Sequence, residues 1–231
     1  MSISRFSILF FLSSITLWLL SGCANVQDVN IEDRSTQQGN VSMSRKMSER
    51  WSIEASYARA RGHERQTLAG PPSSSAESIE LDGLTIIGPA QLKNDAELSL
   101  LKLGAGLIVL DRSRVKLKTR FGLSQNQVNV RFDAGTNVYK YSDQNVGAFG
   151  DFSVSLPLTK QLEAFATTGI TVKPKDDWLT LEQQALGLRW SPATPISFNL
   201  GWYEWDYEDD RARSNISIDL QGMSLGVQLN F

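Results

Sequence analysis

The sequence predicts an all-β fold: an eight-stranded antiparallel transmembrane β-barrel, preceded by a cleaved signal peptide and a polar tether. Three observations predict it. From Trp51 onward apolar and polar residues alternate with a period of two, the mark of a strand with one apolar face. The segments marked in this way number eight, and their connections alternate between short turns and longer or more charged loops. The chain ends on such a segment, with an aromatic residue last.

The first strand is Trp51, Ile53, Ala55 and Tyr57, alternating with Ser52, Glu54, Ser56 and Ala58. Residues 61–95, with Gly70-Pro71-Pro72-Ser73-Ser74-Ser75, form a long loop, and Leu84–Ile87 suggests a short hairpin within it. Leu101, Leu103, Ala105, Leu107 and Val109 mark the second strand. After the turn Asp111-Arg112-Ser113-Arg114, Val115, Leu117, Thr119, Phe121 and Leu123 mark the third. A polar loop near 133–144 follows. The fourth strand carries Val146, Ala148, Phe152, Val154, Leu156 and Leu158, and the fifth carries Leu162, Ala164, Ala166, Ile170 and Val172. Pro174-Lys175-Asp176-Asp177 is a loop. Leu186, Leu188 and Trp190 mark the sixth strand, and Ile196, Phe198, Leu200 and Trp202 the seventh. Glu208-Asp209-Asp210-Arg211 reads as a charged loop. The last strand spans about Asn215–Phe231, with a phase slip near Gly222 that suggests a bulge.

Composition agrees. The chain has 231 residues, 41% hydrophobic and 21% charged, and a net charge of −2. That balance provides no basic footprint for nucleic acid. A slightly negative mean hydropathy is expected when only alternate residues of each strand face lipid.

The first residues differ in kind. Arg5 precedes a short apolar run, Phe6 to Leu20, which has the make-up of a secretory signal. It ends in Leu20-Ser21-Gly22-Cys23, which resembles the bacterial lipobox. That resemblance implies cleavage after residue 22, acylation of Cys23 and, with Ala24 next, sorting to the outer membrane. Ordinary cleavage after Gly22-Cys23-Ala24 is the alternative. Cys23 is the only cysteine, which excludes an intrachain disulfide. The expected organisation is a signal peptide at 1–22, a lipidated Cys23 with a periplasmic tether at 23–45, and the barrel at 46–231. Val41 and Met43 hint that pairing begins earlier.

At the other end, Ser224-Leu225-Gly226-Val227-Gln228-Leu229-Asn230-Phe231 resembles the signal read by the barrel-assembly machinery, with Gly226, Leu229 and Phe231 at its specified positions. From about Trp51 to Phe231 the chain resembles the small OmpA/OmpX-like outer-membrane β-barrels. The resemblance implies a location in the outer membrane of a Gram-negative bacterium. An even strand count would place both termini in the periplasm. It also implies contact with outer-membrane lipids and lipopolysaccharide, and passage through the lipoprotein-sorting and barrel-assembly machineries. Members of that group act as adhesins, serum-resistance factors and envelope stabilisers, so an unidentified extracellular partner and a non-enzymatic role are expected. A soluble lipidated lipocalin-like carrier is the structural rival. Glu49 stands where that family places a Gly two residues before Trp51, and no helical segment follows the last strand.

In a membrane barrel the polar face lines the interior. That set is Glu54, Lys102, Lys116, Lys118, Arg120, Asp151, Glu163, Lys173 and Arg189. Charges of both signs in a narrow lumen should pair, which predicts a filled interior; a narrow anion-preferring pore is the alternative. Trp190 and Phe231 are expected in a periplasmic aromatic girdle, and Tyr57, Trp202, Tyr203, Trp205 and Tyr207 in an outer girdle or surface cluster. Gly104 and Gly106 are expected to allow close packing within the sheet. The one histidine, His63, is a candidate general base for a lipid A-modifying enzyme, but no nucleophile lies at a diagnostic spacing. One histidine and one cysteine build no typical metal site, and no cofactor is expected.

Overall fold

A computed structural model describes residues 29–68, 78–81, 84–87, 90–135, 138–173, 179–193, 195–211 and 214–231. The signal segment, Cys23, the Gly70–Ser75 stretch and the Pro174–Asp177 loop lie outside the described residues. The strands are β1 (Val29–Lys46), β2 (Trp51–Leu68), β3 (Ser78–Leu81), β4 (Leu84–Ile87), β5 (Ala90–Arg112), β6 (Val115–Asp133), β7 (Val138–Pro157), β8 (Leu162–Lys173), β9 (Leu179–Ala193), β10 (Ile196–Arg211) and β11 (Ser214–Asn230). Nine of them close a barrel in the order β1-β11-β10-β9-β8-β7-β6-β5-β2, while β3 and β4 pair as a separate hairpin in the β2–β5 connection.

The count is therefore nine, not eight. The added strand is β1, in the segment expected to be a tether. Its alternation is weak because its few apolar residues change faces: Ile31 is inward and buried in the core, Val41 and Met43 are outward, and the residues between them are polar or glycine. Backbone pairing holds it instead: antiparallel to β2 from Gln37↔Arg61 to Lys46↔Ser52, and parallel to β11 from Val29↔Ile216 to Ser44↔Asn230. An odd number of otherwise antiparallel strands leaves one parallel seam, here between the first strand and the last. Val29 and Phe231 consequently lie at opposite ends of the barrel, so an even count no longer brings the two ends of the barrel to one side. Residues 47–50, 113–114, 158–161 and 194–195 connect strands at the end near Phe231, called here the turn end. Val29 and the β3–β4 connection mark the loop end.

Each long strand changes the environment of its faces partway along. On β6, outward Val115, Leu117, Phe121 and Leu123 give way to outward Gln125, Gln127, Asn129 and Arg131, while inward Lys116, Lys118 and Arg120 give way to inward Val128, Val130 and Phe132. On β10, outward Phe198, Leu200 and Trp202 precede outward Glu204, Asp206 and Glu208, and inward Ser197 and Asn199 precede inward Tyr203, Trp205 and Tyr207. The turn-side half is thus apolar outside and polar inside, and the loop-side half is the reverse. Leu123 and Leu225 are 65% and 66% exposed, whereas Leu98, Phe132 and Tyr203 are at most 1% exposed in the core of the loop-side half. Every barrel strand adds exposed apolar side chains to the turn-side belt, from Val41 on β1 to Ile170 on β8.

This inversion explains several departures from the sequence-based expectations. The strands extend well beyond their expected ends, since residues 133–144 and 208–211 fall largely within β6, β7 and β10. Outward Lys140, Ser142, Gln144 and Glu208 give these stretches the composition of loops, although Asp209 among them is buried. The phase slip at Gly222 is the same exchange of faces. β11 stays in unbroken register with β10 from Ile196↔Leu229 to Arg211↔Ser214, and the irregularity lies on β1, between Asp33 and Thr36. There a Cβ on Gly222 would lie 1.9 Å from the Thr36 carbonyl oxygen, so only glycine allows the seam to close. Of the expected outer aromatics, Tyr57 and Trp202 do face outward at the upper edge of the belt, but Tyr203, Trp205 and Tyr207 are core.

Candidate functional site

Two regions concentrate polar chemistry: the lumen of the turn-side half, and the outer surface of the loop-side half.

The lumen encloses a polar cavity of about 470 Å³. Serine, asparagine and glutamine side chains of β1 and β11 form one wall, and charged side chains of β2 and β5–β9 the other. Lys102 Nζ donates to Asp151 Oδ1 at 2.7 Å and to Gln183 Oε1 at 2.8 Å. Arg120 donates to Asp151 Oδ2 at 2.6 Å and reaches Glu54 at 3.8 Å. Glu54 also accepts from Lys118 and, at 2.5 Å, from Ser52. One network therefore crosses the lumen from β2 through β6, β7 and β5 to β9. Glycine makes room for it: a Cβ on Gly106 would lie 2.6 Å from Glu54 Oε1. Arg189 pairs with Glu163 and donates to Asn199 at 2.9 Å.

Of the nine charges expected inside, seven are held in these two groups. Lys173 donates to Asn145 Oδ1 at 2.5 Å instead. Lys116 sits at the turn-end mouth, half exposed, 3.8 Å from Asp111. Above the network the lumen is filled by Leu98, Leu100, Val128, Tyr203, Trp205 and Leu220, each no more than 3% exposed. The cavity is a cup closed at the loop side.

The outer surface of the loop-side half divides by charge. Over β2, β5, β6 and β7 the outward basic residues are Arg59, Arg61, Arg65, Lys93, Arg131 and Lys140, against Asp95, Glu97 and Asp133. Arg59 and Arg61 both bind Glu97, at 2.5 and 2.7 Å. Burial raises the Glu97 pKa, but these two hydrogen bonds outweigh it and hold the carboxyl below its usual range. Over β9, β10, β11 and β1 the outward acidic residues are Glu32, Glu182, Glu204, Asp206, Glu208 and Asp219, against Arg34. Four of them form a row, because Glu182 is paired in register with Asp206, Asp206 with Asp219, and Asp219 with Glu32. Like charges directly opposed across strands repel. Partial burial, then Glu208, Asp219, Glu182 and Glu204, push Asp206 up to about 6. Burial with Glu204 and Glu32 raises Asp219.

A pH dependence follows. Asp206 binds its proton more tightly in the folded state than in the unfolded chain. Its ionisation therefore weakens the fold as pH rises through about 6, and the loss is relieved as pH falls toward 4. Asp206→Asn is expected to stabilise the barrel at pH 8 by about 1 kcal/mol, a figure discounted for solvent screening because the side chain is exposed. Thermal unfolding in detergent micelles should show the gain at pH 8 and its disappearance near pH 4.

His63 is not a loop residue. It faces outward on β2, with Nδ1 2.6 Å from Asp95 Oδ1 and its backbone N–H donating to Asp33 at 2.7 Å. A carboxylate that orients an imidazole is part of a catalytic arrangement, but among the described residues no hydroxyl is hydrogen-bonded to Nε2. Gly226 faces the lumen beside Asn40, while Leu229 and Phe231 face outward at the turn end. The charged surface is hard to read from sequence because the outward residues of these strand halves are polar, as loop residues are. The detectable signal was Glu204-Trp205-Asp206-Tyr207-Glu208, a strict alternation of acidic and aromatic residues. Among the described residues no group of His, Cys, Asp and Glu is placed to hold a metal ion.

Comparison with family models, curated proteins and solved structures finds no match for this chain.

Proposed function

We propose that the chain is an outer-membrane β-barrel lipoprotein with a non-enzymatic structural or surface-interaction role. The observation that carries this reading is the outward apolar belt. It is continuous around nine strands and confined to one half of the barrel. Residues 115–123 of β6, at about 3.4 Å per residue and a tilt of about 40°, rise roughly 20–25 Å, close to the apolar band of a membrane barrel. Exposed apolar patches beyond a few hundred Å² mark interaction surfaces, and a closed ring of this height suits a bilayer. Trp190, Phe198 and Phe231 near one edge and Tyr57 and Trp202 at the other fit interfacial girdles.

The turn end then faces the periplasm, as the terminal assembly signal at Gly226, Leu229 and Phe231 suggests. The loop-side half projects into the medium with its own apolar core and serves as the interaction surface, together with the β2–β5 connection. The apolar filling of that half favours a non-conducting barrel over an anion pore. A polar cup, rather than an apolar one, disfavours a carrier of hydrophobic ligands. An acylated Cys23 would lie only six residues before Val29, a reach of about 20 Å. Because Val29 is at the loop end, an acylated Cys23 would lie on the side of the barrel away from Phe231. The expected associates are outer-membrane lipids and lipopolysaccharide, the two biogenesis machineries, and an extracellular partner.

Fractionation of Cys23→Ser tests the reading. The variant is expected to resist carbonate extraction and to keep heat-modifiable migration on gels, since the barrel rather than the lipid holds it. Release into the soluble fraction would support a lipidated soluble carrier instead.

A further inference from the structure

We infer that the projecting half is a self-association surface, the acidic face of one copy (β9, β10, β11, β1) docking side by side in the membrane plane against the basic face (β2, β5, β6, β7) of the next. This rests on the membrane reading above, which fixes the height of both faces.

Three observations support a second copy as the occupant. The two faces lie on opposite sides of the same ring, separated by β8 on one side and meeting at the β1–β2 pair on the other. They begin at the same level: Arg59 is two residues above Tyr57, and Glu204 two residues above Trp202, the aromatics that mark the upper edge of the belt. Each face also keeps an excess of one sign, six basic residues against three carboxylates on one and six acidic residues against Arg34 on the other, and places like charges directly opposite one another. Arg65 is in register with Lys93, and Arg131 with Lys140, while Glu182, Asp206 and Asp219 follow one another across three strands. Opposed like charges destabilise a lone barrel, and docking against a face of opposite net charge above the same belt offsets them.

The rival occupant of the basic face is the phosphate of an anionic lipid. It accounts for one face only, and the same lipid would be repelled by the other. A contact between two different faces is heterologous, so it propagates into rows rather than closing as a dimer. Its strength should fall with ionic strength, because these charges are solvent-exposed and screened within about 8 Å at physiological salt.

The test uses the full chain in neutral phosphatidylcholine vesicles, with chemical crosslinking after flotation. Wild-type protein is expected to give a ladder of crosslinked species that collapses to monomer at high salt. An acidic-face variant (Glu182→Gln, Asp206→Asn, Asp219→Asn) and a basic-face variant (Arg65→Gln, Lys93→Gln, Lys140→Gln) should each be monomeric alone. Mixed together they should form dimers and nothing larger, because each supplies the one face the other lacks. A wild-type protein that floats but stays monomeric at low salt overturns the inference and leaves the membrane reading standing. So does a ladder unchanged by either set of substitutions. If the basic-face variant differs only in binding vesicles that contain anionic lipid, the face serves lipid phosphate and the inference fails. A chain that does not float overturns the membrane reading, and the in-plane contact with it.

Discussion

Arginine in place of Leu123 is expected to destabilise the inserted barrel by about 2–4 kcal/mol, whereas arginine in place of Gln127 should change stability by no more than about 0.5 kcal/mol. The two positions share one strand and one outward face, and both are solvent-facing in the isolated barrel. Only the environment proposed around them differs: hydrocarbon at Leu123, water and headgroups at Gln127. In a soluble barrel, exchanging an exposed leucine for arginine would be neutral or favourable. Urea unfolding in lipid vesicles, followed by the gel shift of the folded form, measures the difference. Equal effects at the two sites would contradict the placement of the belt in a bilayer.

The second large effect lies inside. Asp151 holds Lys102 and Arg120 together, and its side chain is 2% exposed. Asp151→Ala would leave three cations, Lys102, Lys118 and Arg120, in a narrow lumen with one carboxylate, Glu54, which Lys118 already occupies. A loss of about 3–5 kcal/mol is expected, the range for breaking a buried ion pair from one side. Lys116→Ala is the control. Its partner Asp111 is 3.8 Å away and both side chains are half exposed, so a change under about 0.5 kcal/mol is expected. The same vesicle unfolding experiment separates the two variants.

The turn-side half was the legible part of this sequence. Where outward residues are apolar and inward ones polar, as over Val115–Leu123 and Met223–Phe231, a period of two reveals both the strand and its faces. The charged positions could be assigned to the interior on the same ground. Their partners could not, because Lys102–Asp151 and Lys118–Glu54 join strands that are not neighbours, and only closure of the barrel sets those distances.

Two features were hidden for physical reasons. β1 has little apolar periodicity because backbone pairing with β2 and β11 holds it, and hydrogen bonds leave no trace in hydropathy. The loop-side halves of the strands were hidden because their apolar face turns inward. A search for one continuous apolar face sees Trp202 as the end of a strand, while Tyr203, Trp205 and Tyr207 carry that strand onward on its other side. Gly222 was the place where the exchange showed, as an apparent slip in phase.

The central claim is that the apolar belt lies in lipid and the loop-side half stands clear of it. Spin labels placed one at a time along the outward face of β6, at 117, 119, 121, 123, 125, 127, 129 and 131 in the Cys23→Ser background, test it most directly in reconstituted vesicles. Labels up to 123 should be accessible to oxygen and shielded from a water-soluble nickel relaxant, with the preference reversing between 123 and 127. Uniform access of the water-soluble relaxant along the whole face would contradict the account.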